Sequence, residues 1–320
     1  MNAGRIDVHH HILPAEYVSA LARLGVDAGG GVPFPKWTAA GALEMLDRQG
    51  IATAVTSVSA PGIHFGDDAA ARKLATQCNE ISARLVADHP SRFGAFAILP
   101  LPDVQGALLE LEHALDVLKL DGVVLLSSHS DGSYPGDPRF DELMRELDRR
   151  RAVAFVHPVV PKSSQGIGLD VPGFIGEFTF DTTRAAMNLV WTGTVERCPH
   201  VRFILSHAGG TTPYLAARMN GMALSPAFRE RAPKGVLHYL RSFYYDTALS
   251  ANSHALRSLQ ELVGPDHILF GSDFPFAPEA IAKASIEGLA GYDGFDAAGL
   301  HAVERANALA LLPSVTSRIA

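Results

Sequence analysis

Apolar residues gather in eight short runs along the chain, and most runs are followed by a stretch of helical periodicity. The runs fall at about residues 5–8, 52–57, 93–98, 122–126, 152–156, 201–205, 243–246 and 268–270. The fourth is almost wholly apolar, which suits a parallel strand buried on both faces. Between the runs, Thr38 is placed to cap a helix that ends at Gly50, with Leu43 and Leu46 on its apolar face. Leu108, Leu111, Leu115 and Leu118 recur at helical spacing. Asp137-Pro138 is a helix start, a cap followed by proline in the first turn. Further helices are predicted over 68–88, 182–197, 252–263, 279–288 and 297–312. Eight strands alternating with helices predict an α/β chain closed into a (β/α)8 TIM barrel. An open doubly wound sheet fits less well, because no glycine-rich phosphate fingerprint follows any strand; the Gly209-Gly210 pair is not one. No linker divides residues 1–320, so one domain is expected. It carries loop insertions at about 14–37 and 226–240.

Composition narrows the function. Apolar residues at 47% and charged residues at 19% supply a large core. The net charge of −7 and the lack of a basic stripe speak against a nucleic-acid partner. Cys78 and Cys198 form neither a CxxC pair nor a disulfide framework, so a reduced, cytoplasmic compartment is expected. The N-terminus has no leader pattern, and no apolar stretch is long enough to predict a membrane span.

The candidate chemistry lies at strand ends. Side chains alternate along a strand, so His9 and His11 of the His9-His10-His11 run share a face and His10 takes the other. His157 ends the fifth strand, His207 the sixth and Asp273 the eighth. Each alone is an ordinary packed or capping residue. A barrel, however, brings all those ends to one rim, where its chemistry sits. Imidazoles with one carboxylate suit a zinc-like ion and leave a position for water or substrate. His64 and His129 lie in loops after strands two and four and are expected to touch substrate. Arg184 and Arg218 are candidate partners for a substrate carboxylate, because a guanidinium fork matches it. Phe34, Trp37, Phe65, Tyr214, Phe274 and Phe276 suit a flat apolar ligand, with Trp37 and Phe276 the best placed for the pocket. No glycine-flanked elbow surrounds Ser206 or Ser272, so a serine nucleophile is not expected.

Four motifs carry a family resemblance. Asp7-Val8-His9-His10-His11-Ile12-Leu13-Pro14, Phe155-Val156-His157-Pro158, Ser206-His207-Ala208-Gly209-Gly210 and Phe270-Gly271-Ser272-Asp273-Phe274-Pro275 occur in that order. Together they resemble the amidohydrolase superfamily, in the branch of aminocarboxymuconate semialdehyde decarboxylase and the metal-dependent aromatic acid decarboxylases. The resemblance implies His9, His11, His157 and Asp273 as metal ligands. It places His207 beside the metal's water, as a catalytic residue with Asp273. It implies one divalent ion, Zn²⁺ before Mn²⁺, no organic cofactor, and a homodimer or higher oligomer. Strand four has no lysine, which favours one ion over a carbamate-bridged pair. The implied reaction is non-oxidative decarboxylation of a small aromatic acid, such as an ortho-hydroxybenzoate, or of an enolic acid, with Asp273 as the acid. Hydrolysis of a lactone or amide, or hydration of an unsaturated acid, would use the same groups.

Overall fold

The computed structural model describes residues 4–164, 166–167 and 170–319. Eight parallel strands form one sheet in sequence order: β1 Arg5–His11, β2 Ile51–Ser57, β3 Phe93–Ile98, β4 Gly122–Leu126, β5 Val153–His157, β6 Arg202–Leu205, β7 Tyr244–Asp246 and β8 Ile268–Leu269. Each strand pairs only with its neighbours in the chain, as expected of a barrel and not of a doubly wound sheet. The centre is apolar, with Phe96, Phe155, Phe203 and Phe270 nearly or wholly buried.

Closure occurs along β1. Val8 N–H donates to Phe270 O (3.0 Å), Asp273 N–H to His9 O (2.8 Å) and His11 N–H to Phe274 O (2.7 Å). The segment leaving β8 therefore runs alongside the histidines of β1, so the seam that shuts the barrel also carries the candidate ligands. Asp7 ties this seam from within. Its fully buried carboxylate accepts from His9 N–H (3.1 Å), Ser272 N–H (3.0 Å) and Ser272 Oγ (2.6 Å), with His10 Nδ1 at 3.2 Å. Asp7→Ala strands these buried donors, and each unsatisfied group costs about 1–3 kcal/mol. The expected loss of unfolding free energy is at least about 3 kcal/mol in urea titration. A loss below about 1 kcal/mol would show that the seam holds without it.

Local signals behave as the chain predicts. Thr38 Oγ1 accepts from Gly41 N–H, and Gly50 ends the helix Ala39–Gln49 at φ 66°. Two stretches differ. Residues 28–33, expected as plain loop, form a short antiparallel hairpin, Ala28–Gly29 with Val32–Pro33. The helix expected from 182 begins at Glu177, because Gly176 is the last glycine or proline before it. That early start brings Phe178 into the helix and towards the site. The insertion at 226–240 folds as two helices, Pro226–Arg231 and Val236–Ser242, and buries Phe228, Val236, Tyr239 and Leu240. No described helix is long and apolar enough to cross a membrane.

Candidate metal centre

His9, His11, His157 and Asp273 converge at the rim. His9 Nε2 lies 3.1 Å from His11 Nε2, and Asp273 Oδ1 lies 3.0 Å from His11 Nε2 and 3.3 Å from His9 Nε2. The opposite ring nitrogens are all engaged. His9 Nδ1 bonds Asp246 Oδ2 (2.8 Å), His11 Nδ1 meets Ser57 Oγ (3.1 Å), and His157 Nδ1 donates to Pro158 O (2.8 Å). Such outer bonds fix tautomer and ring orientation and leave Nε2 for a metal. His207 stands beside the cluster, 4.9 Å from His9 between ring centroids, with Nδ1 donating to Ala248 O (3.0 Å). His10 turns away, onto Phe274, as strand alternation requires.

Asp246 escaped the sequence reading. It is fully buried and accepts from the backbone N–H of His207 (3.1 Å) and Ala248 (2.9 Å) while holding His9. Its one signal was its place at the end of β7, the same position that flagged His157.

A cavity of about 210 Å³ opens beside the cluster. Val32, Phe174, Phe178, Leu249, Phe276 and Ile281 form most of its wall. Its polar side chains are Ser59, His157 and Asp273, and among the described residues no lysine or arginine lines it. Phe276, expected at the pocket, is there, 5.7 Å from His11 between centroids. The other substrate candidates lie elsewhere. Trp37 packs against the core. Arg184 sits on the helix Glu177–Trp191 with its own helix's acids, Glu177 (3.7 Å) and Asp181 (3.8 Å). Arg218 is exposed on the helix Thr212–Asn220. His64 and His129 line a different cavity. The charged candidates were chosen by loop and helix position, but the helices point them at neighbouring acids or solvent.

The amidohydrolase family model matches residues 6–313. The chain belongs to the amidohydrolase family. It is 39% identical over 279 residues to a 6-methylsalicylic acid decarboxylase of Penicillium expansum, covering 86% of each chain. A crystal structure of an amidohydrolase II matches with a TM-score of 0.89 at 29% identity, covering 97% of this chain and 99% of the other. A dihydroxybenzoic acid decarboxylase of a Polaromonas species, solved with manganese and 2-nitroresorcinol, shares the fold. It has a TM-score of 0.83 at 23% identity and 96% coverage of both chains. The Penicillium relative lies in the aromatic acid decarboxylase branch expected from the motifs.

The amidohydrolase cluster is built for a divalent ion. Zinc–nitrogen bonds of about 2.0–2.1 Å put tetrahedral ligand atoms about 3.3–3.4 Å apart, close to the spacing of the His9, His11 and Asp273 atoms. Charge agrees. Burial disfavours a charged His9, yet the Asp246 and Asp273 carboxylates outweigh it and raise its pKa to about 10. Burial keeps His11, His157 and His207 neutral by lowering theirs, with His11 and His9 adding to the effect on His157. Asp273 is buried too, but His9 and His11 hold it well below the usual carboxylate range. Without an ion the cluster therefore keeps one proton, on His9, where a cation would sit. An entering ion must displace it. Calorimetry in buffers of different ionisation enthalpy should find about one proton released per ion near neutrality. Affinity should fall as pH falls, because below pH 10 the proton competes; a pH-independent affinity would contradict this.

Three residues of the amidohydrolase site hold a left-handed backbone without being glycine: His207 (φ 53°), Asp273 (φ 60°) and Leu249 (φ 53°). Such strain persists where surrounding contacts over-determine it, and it collects at functional sites. Gly271 has a steric role. A Cβ there would lie 2.7 Å from His9 Cβ. Gly271→Ala should therefore displace His9 and weaken metal affinity at least about 10-fold, the scale seen when a supporting contact is lost. Metal titration reads it, and unchanged affinity would remove this role.

Proposed function

We propose that this amidohydrolase is a metal-dependent carboxy-lyase acting on small ortho-hydroxybenzoates that carry an apolar substituent. The observation that carries the reading is the pocket: a ligand cluster at one side, aromatic and aliphatic walls elsewhere, and no lysine or arginine among the described residues that line it. A single acid group would face the metal cluster, and a second carboxylate would find no partner. Such walls favour an apolar substituent over the extra hydroxyl of a dihydroxybenzoate. The similarity to a 6-methylsalicylic acid decarboxylase supports the same class.

A bound divalent ion, held by His9, His11, His157 and Asp273, would supply a Lewis acid for the substrate's carboxylate and ortho oxygen. The chain's own residues then move the proton. Asp273 is held as a carboxylate, so it first accepts the ortho-hydroxyl proton. It returns that proton to the ring carbon bearing the carboxylate, which interrupts the aromatic system. The carbon–carboxylate bond breaks, carbon dioxide leaves, and its electron pair restores the ring as a phenolate. Solvent protonates the phenolate. His207, neutral and fixed through Nδ1, has Nε2 available to orient a water or relay the proton. Phe178 and Phe276 would keep the ring dry and flat.

The test is a panel of alkyl hydroxybenzoates, dihydroxybenzoates, lactones, amides and unsaturated diacids with metal-loaded protein. Alkyl hydroxybenzoates should release carbon dioxide fastest, and in deuterated water deuterium should replace the lost carboxylate. Lactone opening or water addition, with no carbon dioxide from any acid, would sink the reading. We infer Zn²⁺ as the ion from the three imidazoles, with Mn²⁺ the rival that the Polaromonas relative holds. We also read the chain as one cytoplasmic domain forming a homodimer or higher oligomer; the exposed Trp191, Tyr214 and Leu224 support that association. A monomer mass in light scattering would oppose it.

A further inference from the structure

Leu249 is strained and exposed at once. It lines the metal pocket from the turn that follows β7, with its backbone left-handed at φ 53°. Asp273 and His207 share that conformation, and each has a task at the metal cluster. Leu249 is neither a ligand nor a partner of one.

The turn is fixed on both sides of it. Ser250 N–H donates to Thr247 O (3.0 Å), which makes Leu249 the third residue of a four-residue turn. A positive φ at that position favours glycine or asparagine. Ala248 donates its N–H to Asp246 Oδ1 (2.9 Å), and its carbonyl accepts from His207 Nδ1 (3.0 Å). Beyond the turn, Asn252 N–H donates to Ser250 O (2.8 Å), and the Asn252 side chain caps the helix Ser253–Gln260. These bonds hold the backbone left-handed whatever residue stands at 249. None of them calls for a leucine, whose Cβ is crowded in that conformation.

Burial within the chain does not call for one either, because Leu249 is 40% exposed. Among the described residues the other non-glycine positions with a left-handed backbone are Lys119, Arg151, His207, Ala208 and Asp273. Leu249 alone in that set carries a branched apolar side chain.

Exposure divides the pocket lining into a floor and a rim. Ser59, Ala60, His157 and Asp273 are buried, whereas Leu249 and Ile281, 42% exposed, stand open to solvent. The ligand cluster is thus on the floor, and two aliphatic side chains stand at the mouth. A molecule whose acid group reaches the floor presents its remaining surface to that rim. An apolar group there would cover Leu249 and take its side chain out of water.

We propose that Leu249 is a specificity-determining residue, whose side chain covers the apolar substituent of the substrate's ring. The contact stands on the pocket. The identity of the ring as a hydroxybenzoate rests on the proposed decarboxylation.

The experiment measures dissociation constants of 2-nitrophenol and its four ring-methylated isomers on metal-loaded protein by calorimetry. The nitro group is planar, as a carboxylate is, and cannot leave as carbon dioxide, so binding is read without turnover. In the wild type the best methyl isomer should bind at least about tenfold tighter than 2-nitrophenol, the lower end of what one methyl contributes in an apolar pocket. Leu249→Ala and Leu249→Gly should each lower that ratio at least about threefold. A mere shift of the turn would weaken all five ligands alike and leave the ratio unchanged. Glycine suits the left-handed turn, so Leu249→Gly decides alone if a thermal melt shows that Leu249→Ala has lost its fold. A smaller change in a folded variant overturns the proposal, and so does a wild type that prefers no methyl isomer. A ratio lost in the variants, with no carbon dioxide from any hydroxybenzoate, would overturn the proposed reaction and leave Leu249 its role.

Discussion

Asp273→Asn should abolish turnover while leaving a folded protein. The carboxylate is assigned three tasks: ligand, acceptor of the hydroxyl proton and donor to the ring carbon. Asparagine does neither proton step, and general acid–base catalysis alone is worth about 10²–10⁴-fold. Loss of a charged ligand adds to that, so kcat should fall at least about 10³-fold. The backbone at Asp273 is left-handed, and asparagine tolerates that conformation well, which makes it the right replacement. The Asp273 N–H bond to His9 O is unaffected by the change, so the barrel seam survives. Single-turnover assays with saturating metal separate lost chemistry from lost ion. Residual turnover within about tenfold of wild type would remove Asp273 from both proton steps.

The pattern of apolar runs shows why so much of this architecture was legible. Strand identity depends on short local runs: β2 to β8 fall within a residue of the expected ranges, while β1 runs three residues past its expected end, through His11. The ligand set was legible because a parallel barrel turns the statement "at the end of a strand" into the statement "at one rim". His9, His11, His157 and Asp273 needed nothing further. Asp7 and Asp246 were not legible as partners, since their roles exist only once β1 meets the segment after β8 and β7 lies beside β6. The arginines failed for a different reason. The helix Glu177–Trp191 sets Arg184 beside Glu177 and Asp181, and the helix Thr212–Asn220 leaves Arg218 exposed, so neither lines the metal pocket. His64 and His129 share the rim with the metal, as expected, but belong to the β2 and β4 sector. Chain order gives the rim, and only packing divides it into two cavities.

Removing the metal should silence the enzyme without unfolding it. Chelation followed by elemental analysis should give an ion-free protein with no measurable carbon dioxide release, and a divalent ion should restore it. The fold should persist because the proton on His9 takes over part of the cation's work, offsetting Asp273 and Asp246 inside the cluster. Stability should still fall. An ion that binds only the folded chain contributes about 4 kcal/mol when present at about a thousand times its Kd, and that contribution vanishes on chelation. The two readouts answer different questions. Lost activity with a lowered Tm and intact far-ultraviolet dichroism places the ion in both catalysis and the closed barrel seam. Full activity in protein proven free of metal would mean that His9, His11, His157 and Asp273 work as a proton-transfer cluster, and the metal reading would fall.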